Sequence, residues 1–147
     1  MSNGDIVTLR EQTGAGVMEC KRALEEAGGD LDKAAGIIRE RGLLKAESKK
    51  ERKTGAGLVY TYVHNDRVGV LMELRAETDF VVRSEPFKTL AHELAMQIAA
   101  MAPENVDELL GQPYIKDESI TAGNFIKGIV AKVGENIQVE KFVRYEL

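Results

Sequence analysis

Apolar residues recur at spacings of three and four along the first 42 residues of the chain. This pattern predicts three short helices, of which the first covers about residues 5–12 and ends at the glycine-rich stretch 13–16. Asp30 is expected to cap the start of the third helix, and Gly42 to end it. The apolar stripes of the second and third helices consist of Val17, Cys20, Leu24, Ala27, Leu31, Ala34, Ala35 and Ile38.

The pattern changes after a basic segment. Residues 45–53 (KAESKKERK) hold five basic and two acidic side chains, which favours a solvated helix or linker over a basic contact surface. The β-rich runs 58–63 and 68–74 flank the turn signal HNDR at 64–67 and therefore predict a hairpin. Alternation of apolar and polar residues over 136–147 predicts a last strand.

Two further helices are predicted in the second half of the chain. The first begins near Pro86, a residue that the first turn of a helix tolerates, and the second ends at Gly134. Residues 102–119 between them are expected to form a loop with one helical turn. The stripes of these two helices consist of Phe87, Leu90, Ala91, Leu94, Ala95, Ile98, Ala122, Phe125, Ile126, Ile129, Val130 and Val133.

These elements together predict an α+β fold. We expect a helical domain over residues 1–44, a basic helical linker over 45–56 and an α+β core domain over 57–147. In the core domain, a three-stranded antiparallel sheet would be packed with helices gathered on one face.

Composition narrows the possible environments. The 147 residues carry a net charge of −4, so the surface as a whole does not favour direct binding of nucleic acid. No apolar run approaches the ~20 residues that a membrane-spanning helix needs, and the start resembles no signal peptide. The single Cys20 cannot form an internal disulfide. We therefore expect a cytoplasmic protein with no membrane partner.

Motifs for chemical catalysis are missing from the sequence. Residues 13–16 (TGAG) join two helices and follow no strand, which favours a tight interhelical turn over a phosphate site. One cysteine and two histidines do not have metal-ligand spacing, so no metal or cofactor is expected. His64 is expected to be a surface turn residue, and His92 to flank a core stripe. A hydrolase using His64, Glu77 and Asp79 would lack a nucleophile and oxyanion donors.

Two stretches could instead serve protein binding. Met18 lies about 100° around its helix from Val17, so it is either an adaptable exposed contact or part of a small core. Thr78 is a plausible helix N-cap, which places Asp79 in the first turn, where the helix dipole favours its charge. Capping does not explain Phe80, which could pack into the core or protrude beside the acid and pry into a partner.

These same stretches carry a family likeness. Residues 9–24 (LREQTGAGVMECKRAL) and 73–83 (ELRAETDFVVR) closely resemble the two signature segments of the elongation factor Ts family, the guanine-nucleotide exchange factors of the translational GTPase elongation factor Tu. Residues 27–42 and 134–144 extend the likeness over nearly the whole chain. Arg75 and Val82 are departures, because the family usually has a small or polar residue at the first of these positions and Ala or Ser at the second.

The resemblance implies an architecture as well as a function. It implies a ubiquitin-associated-like fold for the N-terminal helices, a single core unit where longer members carry two, and pairing of the chain with itself as a homodimer. A ubiquitin-binding adaptor is an alternative that the helical unit alone would allow, but it leaves the second domain without a role.

The resemblance also implies an exchange mechanism without covalent chemistry. Asp79 and Phe80 match a pair that inserts between helices of the GTPase domain, near its magnesium site. Residues of the first two helices match contacts to the same domain, and His64 matches a core contact more weakly. The implied partner-binding residues are Leu9, Arg10, Val17, Met18, His64, Thr78, Asp79, Phe80 and Val81.

Overall fold

Three helices at the N-terminus form a unit with its own core in the computed structural model, which describes residues 2–147. They are α1 (Asn3–Thr13), α2 (Val17–Glu26) and α3 (Leu31–Lys49). The Asp30 carboxylate accepts a hydrogen bond from the Lys33 backbone N–H at 3.1 Å, so the predicted cap is confirmed. The buried residues of this unit are Leu9, Cys20, Ala23, Leu24, Ala34 and Ile38. The likeness to ubiquitin-associated domains stays a prediction.

The third helix does not end at Gly42, and that prediction was wrong. α3 continues to Lys49, because a glycine inside a helix costs only about 0.5–1 kcal/mol and tertiary contacts offset this cost. Ala46 is buried in the core of the second half of the chain. The Glu47 carboxylate lies 3.3 Å from the Lys127 ammonium. α3 therefore extends from the helical unit onto the second half, and the division at residues 44 and 56 stays a prediction.

The second half contains five strands and four helices within the described residues. In chain order these are β1 (Ala56–His64), β2 (Val68–Ala76), α4 (Asp79–Val82), α5 (Glu85–Met101), α6 (Val106–Gly111), β3 (Pro113–Tyr114), β4 (Asp117–Thr121), α7 (Ala122–Val133) and β5 (Ile137–Glu146). None of the helices in residues 2–147 is long and apolar enough to cross a membrane.

The main sheet has the strand order β1-β2-β5, with both neighbouring pairs antiparallel. Asn65 and Asp66 turn the hairpin with φ of 51° and 57°, the left-handed conformations of a two-residue hairpin turn. β2 and β5 stay paired as far as Ala76 opposite Ile137. α5 packs on β1 and β2, and α7 packs against α5 and α3. The predicted α+β class with a three-stranded antiparallel sheet is confirmed.

Residues 102–119 are more ordered than predicted. Besides the helical turn α6, they form β3 and most of β4, which pair as a small hairpin. The buried Gln97 side chain bonds the Pro113 carbonyl and the Ile115 N–H at 3.0 and 2.9 Å. The Lys116 ammonium lies 2.6 Å from the Glu93 carboxylate. These contacts come from α5, so periodicity within the segment could not predict them.

Candidate protein-binding site

The acid and the ring that follow β2 both point outward. Phe80 is 86% exposed, and Asp79 beside it is also exposed. The sequence left open whether Phe80 packs inward, and this exposure excludes the core alternative. Among the large hydrophobic side chains of residues 2–147, Phe80 has the highest exposed fraction, so its ring is the one that its own fold covers least.

The backbone beneath the ring is well supported. Val81 and Val82 are buried in the main core, so one side of α4 is anchored while Phe80 occupies the other. Thr78 is the N-cap, as predicted, and its hydroxyl accepts from the Val81 N–H at 3.4 Å. The burial of Val81 leaves its side chain little surface for a partner, so its predicted contact role does not fit this structure.

Near the start of α4, two segments are joined by carboxylates, each of which accepts hydrogen bonds from the opposite segment. The Glu135 carboxylate accepts from the Thr78 backbone N–H at 2.9 Å and from the Thr78 hydroxyl at 2.7 Å. The Glu77 carboxylate accepts from the Asn136 backbone N–H at 2.9 Å. Glu135 and Asn136 were not predicted as site residues from the sequence, because they lie 57 and 59 positions away from their partners.

The helical unit contributes a second exposed surface. Val17 and Met18 at the start of α2 are 47% and 58% exposed, which decides the open alternative for Met18 in favour of exposure. Gly14, with φ of 72°, ends α1, so TGAG forms the interhelical turn that was predicted. The Arg10 guanidinium donates from Nε to the Ala15 carbonyl at 3.3 Å and braces that turn.

Leu9 has a different position from its predicted neighbours. Its side chain is 0% exposed and lies in the core of the helical unit. The side chain therefore has no surface to offer a partner, and the predicted direct contact does not fit this structure. The likeness of residues 9–24 to the family spans core and surface positions alike, which is why sequence alone grouped Leu9 with Arg10.

The two histidines pair with tyrosines on β1. His64 is an exposed residue at the hairpin, as predicted, with its Nδ1 2.8 Å from the Tyr62 hydroxyl. His92 is half-buried beside its stripe, as predicted, with its Nδ1 2.7 Å from the Tyr60 hydroxyl. His64 lies at the turn end of the β1–β2 hairpin, opposite Val68, whereas Glu77 follows Ala76 at the other end, so a hydrolase set with Asp79 is not assembled.

Within residues 2–147, no group of three or more histidine, cysteine or acidic residues is arranged to hold a metal ion. Cys20 is buried among the helices, with its Sγ 3.8 Å from the Ala15 carbonyl, so it serves packing. The site that the structure offers is two exposed apolar surfaces on separate helices, one of which carries a carboxylate.

Comparison with known protein families shows which family this chain belongs to. The family model described as Elongation factor TS matches residues 17–108 and 77–147, which together cover most of the chain. The chain belongs to the elongation factor Ts family. This membership supports a role in translation elongation.

Individual members of the elongation factor Ts family match nearly the whole chain. This chain is 40% identical over 185 positions to elongation factor Ts of Coprothermobacter proteolyticus, and the match covers 95% of this chain and 94% of that protein. Elongation factor Ts of Thermotoga petrophila is also 40% identical to this chain, and the match covers 97% of this chain and 94% of that protein. For Gloeothece citriformis it is 41%, with 95% of this chain but only 65% of that elongation factor Ts covered.

The lengths of the matches also show that this chain is shorter than its relatives within the matched region. The match to the Coprothermobacter protein spans 185 positions, whereas 95% of the 147 residues is about 140, so about 45 positions of that relative face gaps here. This chain therefore lacks internal segments that other members of the elongation factor Ts family possess.

Proposed function

We propose that this chain is a guanine-nucleotide exchange factor that binds elongation factor Tu carrying GDP and promotes GDP release during translation elongation. It would act in the cytoplasm and without covalent chemistry. Family membership supports the partner and the process. The observation that carries the mechanism is the protruding pair Asp79 and Phe80 on an anchored helix.

In this proposal Phe80 acts as a steric wedge and Asp79 as its polar companion. The ring inserts between helices of the GTPase domain and displaces groups on the magnesium side of the nucleotide. The carboxylate competes for hydrogen bonds there. Because factor and GDP then oppose each other on the same protein, each weakens the binding of the other by the same coupling free energy. GDP leaves quickly from this strained complex, and the cellular excess of GTP sets the direction.

The helical unit supplies docking rather than displacement. Val17 and Met18 form an apolar contact that can adapt to the partner, because methionine is flexible and polarisable. Arg10 adds a cation at the edge of this contact, and His64 a weaker contact from the hairpin. Three other predicted site residues support these contacts from beneath: Leu9 in the helical core, Thr78 as the cap of α4 and Val81 in the main core.

Stopped-flow release of a fluorescent GDP from elongation factor Tu tests the mechanism. Truncation of Phe80→Ala is expected to slow stimulated release by ~10-fold or more, because central aromatic anchors contribute about 2 kcal/mol or more at interfaces. Leu44→Ala is the matched control, since Leu44 is also a large exposed apolar residue but lies on α3 outside the proposed contacts. Unchanged release by a folded Phe80→Ala protein would remove the wedge from the mechanism.

A homodimer is the second part of the proposal. The face of the sheet opposite the helices carries exposed apolar side chains, namely Val59, Val63, Leu71, Val143 and Tyr145. Glu73 lies directly opposite Lys141 on this face. A second copy is the occupant that fits, because a two-fold interface packs one apolar patch against itself. The Glu73 carboxylate, which accepts from Arg75 Nε at 2.6 Å within the chain, can also lie near the other copy's Lys141 ammonium. Light scattering is expected to give twice the mass of one chain.

A further inference from the structure

The pairing of β2 and β5 does not stop where the strands end. Ala76 opposite Ile137 is the last strand pair. The next two residues of each chain segment remain opposite each other: Glu77 bonds Asn136, and Thr78 bonds Glu135. Side-chain carboxylates replace the backbone carbonyls of the ladder in these bonds, so the register of the sheet is carried to the first turn of α4.

The cap of α4 is weak without this support. The Val81 N–H lies 3.4 Å from the Thr78 hydroxyl, longer than the 2.7–3.2 Å of good N–H···O bonds. The two bonds from Thr78 to Glu135 are 2.9 and 2.7 Å and are charge-assisted, which makes them roughly twice as strong as neutral ones. Glu135 is therefore the stronger restraint on the start of α4.

The orientation of Phe80 depends on this restraint. A helix of four residues cannot hold its own geometry, because nucleation costs more than one turn returns. Val81 and Val82 fix the depth of α4 in the core, but they sit on one side of it. The Ser84 hydroxyl donates to the Val81 carbonyl at 2.6 Å and holds the other end of α4. The direction in which Phe80 and Asp79 project at its start is then set by the entry of the chain at Thr78.

The same clamp reaches the helical unit. The Asn136 side chain, which is buried, donates to the backbone carbonyls of Lys50 and Arg52 at 3.2 and 2.8 Å. These carbonyls directly follow α3. The segment 135–136 therefore joins the base of the wedge to the end of α3, the third helix of the unit whose first two helices carry the docking surface.

We infer that Glu135 is a positioning residue for exchange, one that acts through Thr78 to aim Asp79 and Phe80. This inference rests on the proposed function. Docking by the helical unit does not involve Glu135, so its loss is expected to reduce how well the bound factor displaces GDP while leaving binding nearly intact.

Kinetics of GDP release over a range of factor concentrations separates the two effects. Glu135→Ala removes both hydrogen bonds to Thr78 and is expected to lower the maximal release rate by about 10-fold or more, the low end for loss of a hydrogen bond to a charged group, with the half-saturating concentration changed less than about twofold. Glu104→Ala makes the same charge change at an exposed loop residue and serves as the control.

A double-mutant cycle tests whether Glu135 acts through Thr78. The double variant Thr78→Val, Glu135→Ala is expected to have a maximal release rate only slightly below that of Glu135→Ala alone, because both substitutions remove the same interaction. Additive losses would contradict the positioning role. A maximal rate unchanged in Glu135→Ala but reduced in Phe80→Ala would overturn this inference and leave the proposed function standing.

Hydrogen exchange on the isolated chain gives a readout that is independent of activity. The amides of Val82 and Arg83 bond the carbonyls of Thr78 and Asp79. These amides are expected to exchange faster in Glu135→Ala, while amides at the centre of α5 do not change. If the wild type failed to stimulate GDP release, the proposed function would fail. Unchanged hydrogen exchange at Val82 and Arg83 in Glu135→Ala would separately contradict the positioning role of Glu135.

Discussion

Leu9 distinguishes a core residue from a contact residue within one family signature. Its side chain is fully buried among the few residues that hold the three N-terminal helices together. Leu9→Ala removes a large fraction of this small core, and Leu→Ala changes in cores cost about 2–5 kcal/mol. We expect the lower half of that range, about 2–3 kcal/mol, because a unit of three short helices can partly collapse around the gap.

The assay follows the stability of the helical unit directly. Hydrogen exchange of amides in α1 and α2 is expected to show the loss of protection, while amides in β2 keep theirs. The nucleotide-exchange activity is expected to fall only in proportion to the unfolded fraction of the helical unit, and to recover at lower temperature. Met18→Ala is the matched comparison, because Met18 is exposed and its truncation is expected to change stability by less than about 0.5 kcal/mol.

The opposite result would refute the reasoning. If Leu9→Ala kept wild-type protection of α1 and α2 yet bound elongation factor Tu more weakly, Leu9 would be a direct contact. The helical unit would then have to open in the complex. If Met18→Ala reduced protection as much as Leu9→Ala, the exposed surface assigned to α2 would instead be part of the core.

Three further predictions concern the second half of the chain. Burial and a neighbouring carboxylate raise the pKa of Tyr114 from 10.0 to about 12, so its contribution to stability is complete below pH ~10 and is lost as the pH rises through ~12. Tyr114→Phe is expected to remove the tyrosinate absorbance step near pH 12, and a step that persists would contradict this assignment. A Cβ on Gly57 would lie 2.7 Å from the Leu74 carbonyl, so Gly57→Ala is expected to destabilise the protein by about 1 kcal/mol or more in urea denaturation. A Cβ on Gly69 would have nothing within 4 Å, so Gly69→Ala is not expected to destabilise it in this way. Equal effects of the two substitutions would refute the steric argument. Val143→Asp on the open sheet face is expected to give a monomer by light scattering, and a dimer that survives it would place the interface elsewhere.

Local patterns in the sequence were sufficient for most of the elements. Stripes at helical spacing predicted α2, α5 and α7, and the HNDR turn between β-rich runs predicted the hairpin of β1 and β2. Thr78 and Asp30 were predicted as caps from residue type and position. These predictions succeeded because capping, turn chemistry and periodicity act over four residues or fewer, which lie within reach of a single stretch of sequence.

Long-range contacts account for what the sequence did not predict. α3 passes Gly42 because Ala46 packs into the core of the other half. The hairpin of β3 and β4 is held by the buried Gln97 from α5. Neither cause leaves a periodic signal in the segment that it organises, because the stabilising group lies elsewhere in the chain.

The sequence by itself determined the helices, the hairpin, the family and the identity of the acid and ring that follow β2. Only the tertiary structure decided that Phe80 projects outward, that Leu9 lies inside, and that Glu135 reaches Thr78 across 57 positions. The physical reason is that residue type sets local conformation and the preference for burial. Which preference is satisfied depends on the neighbours that the complete fold brings together.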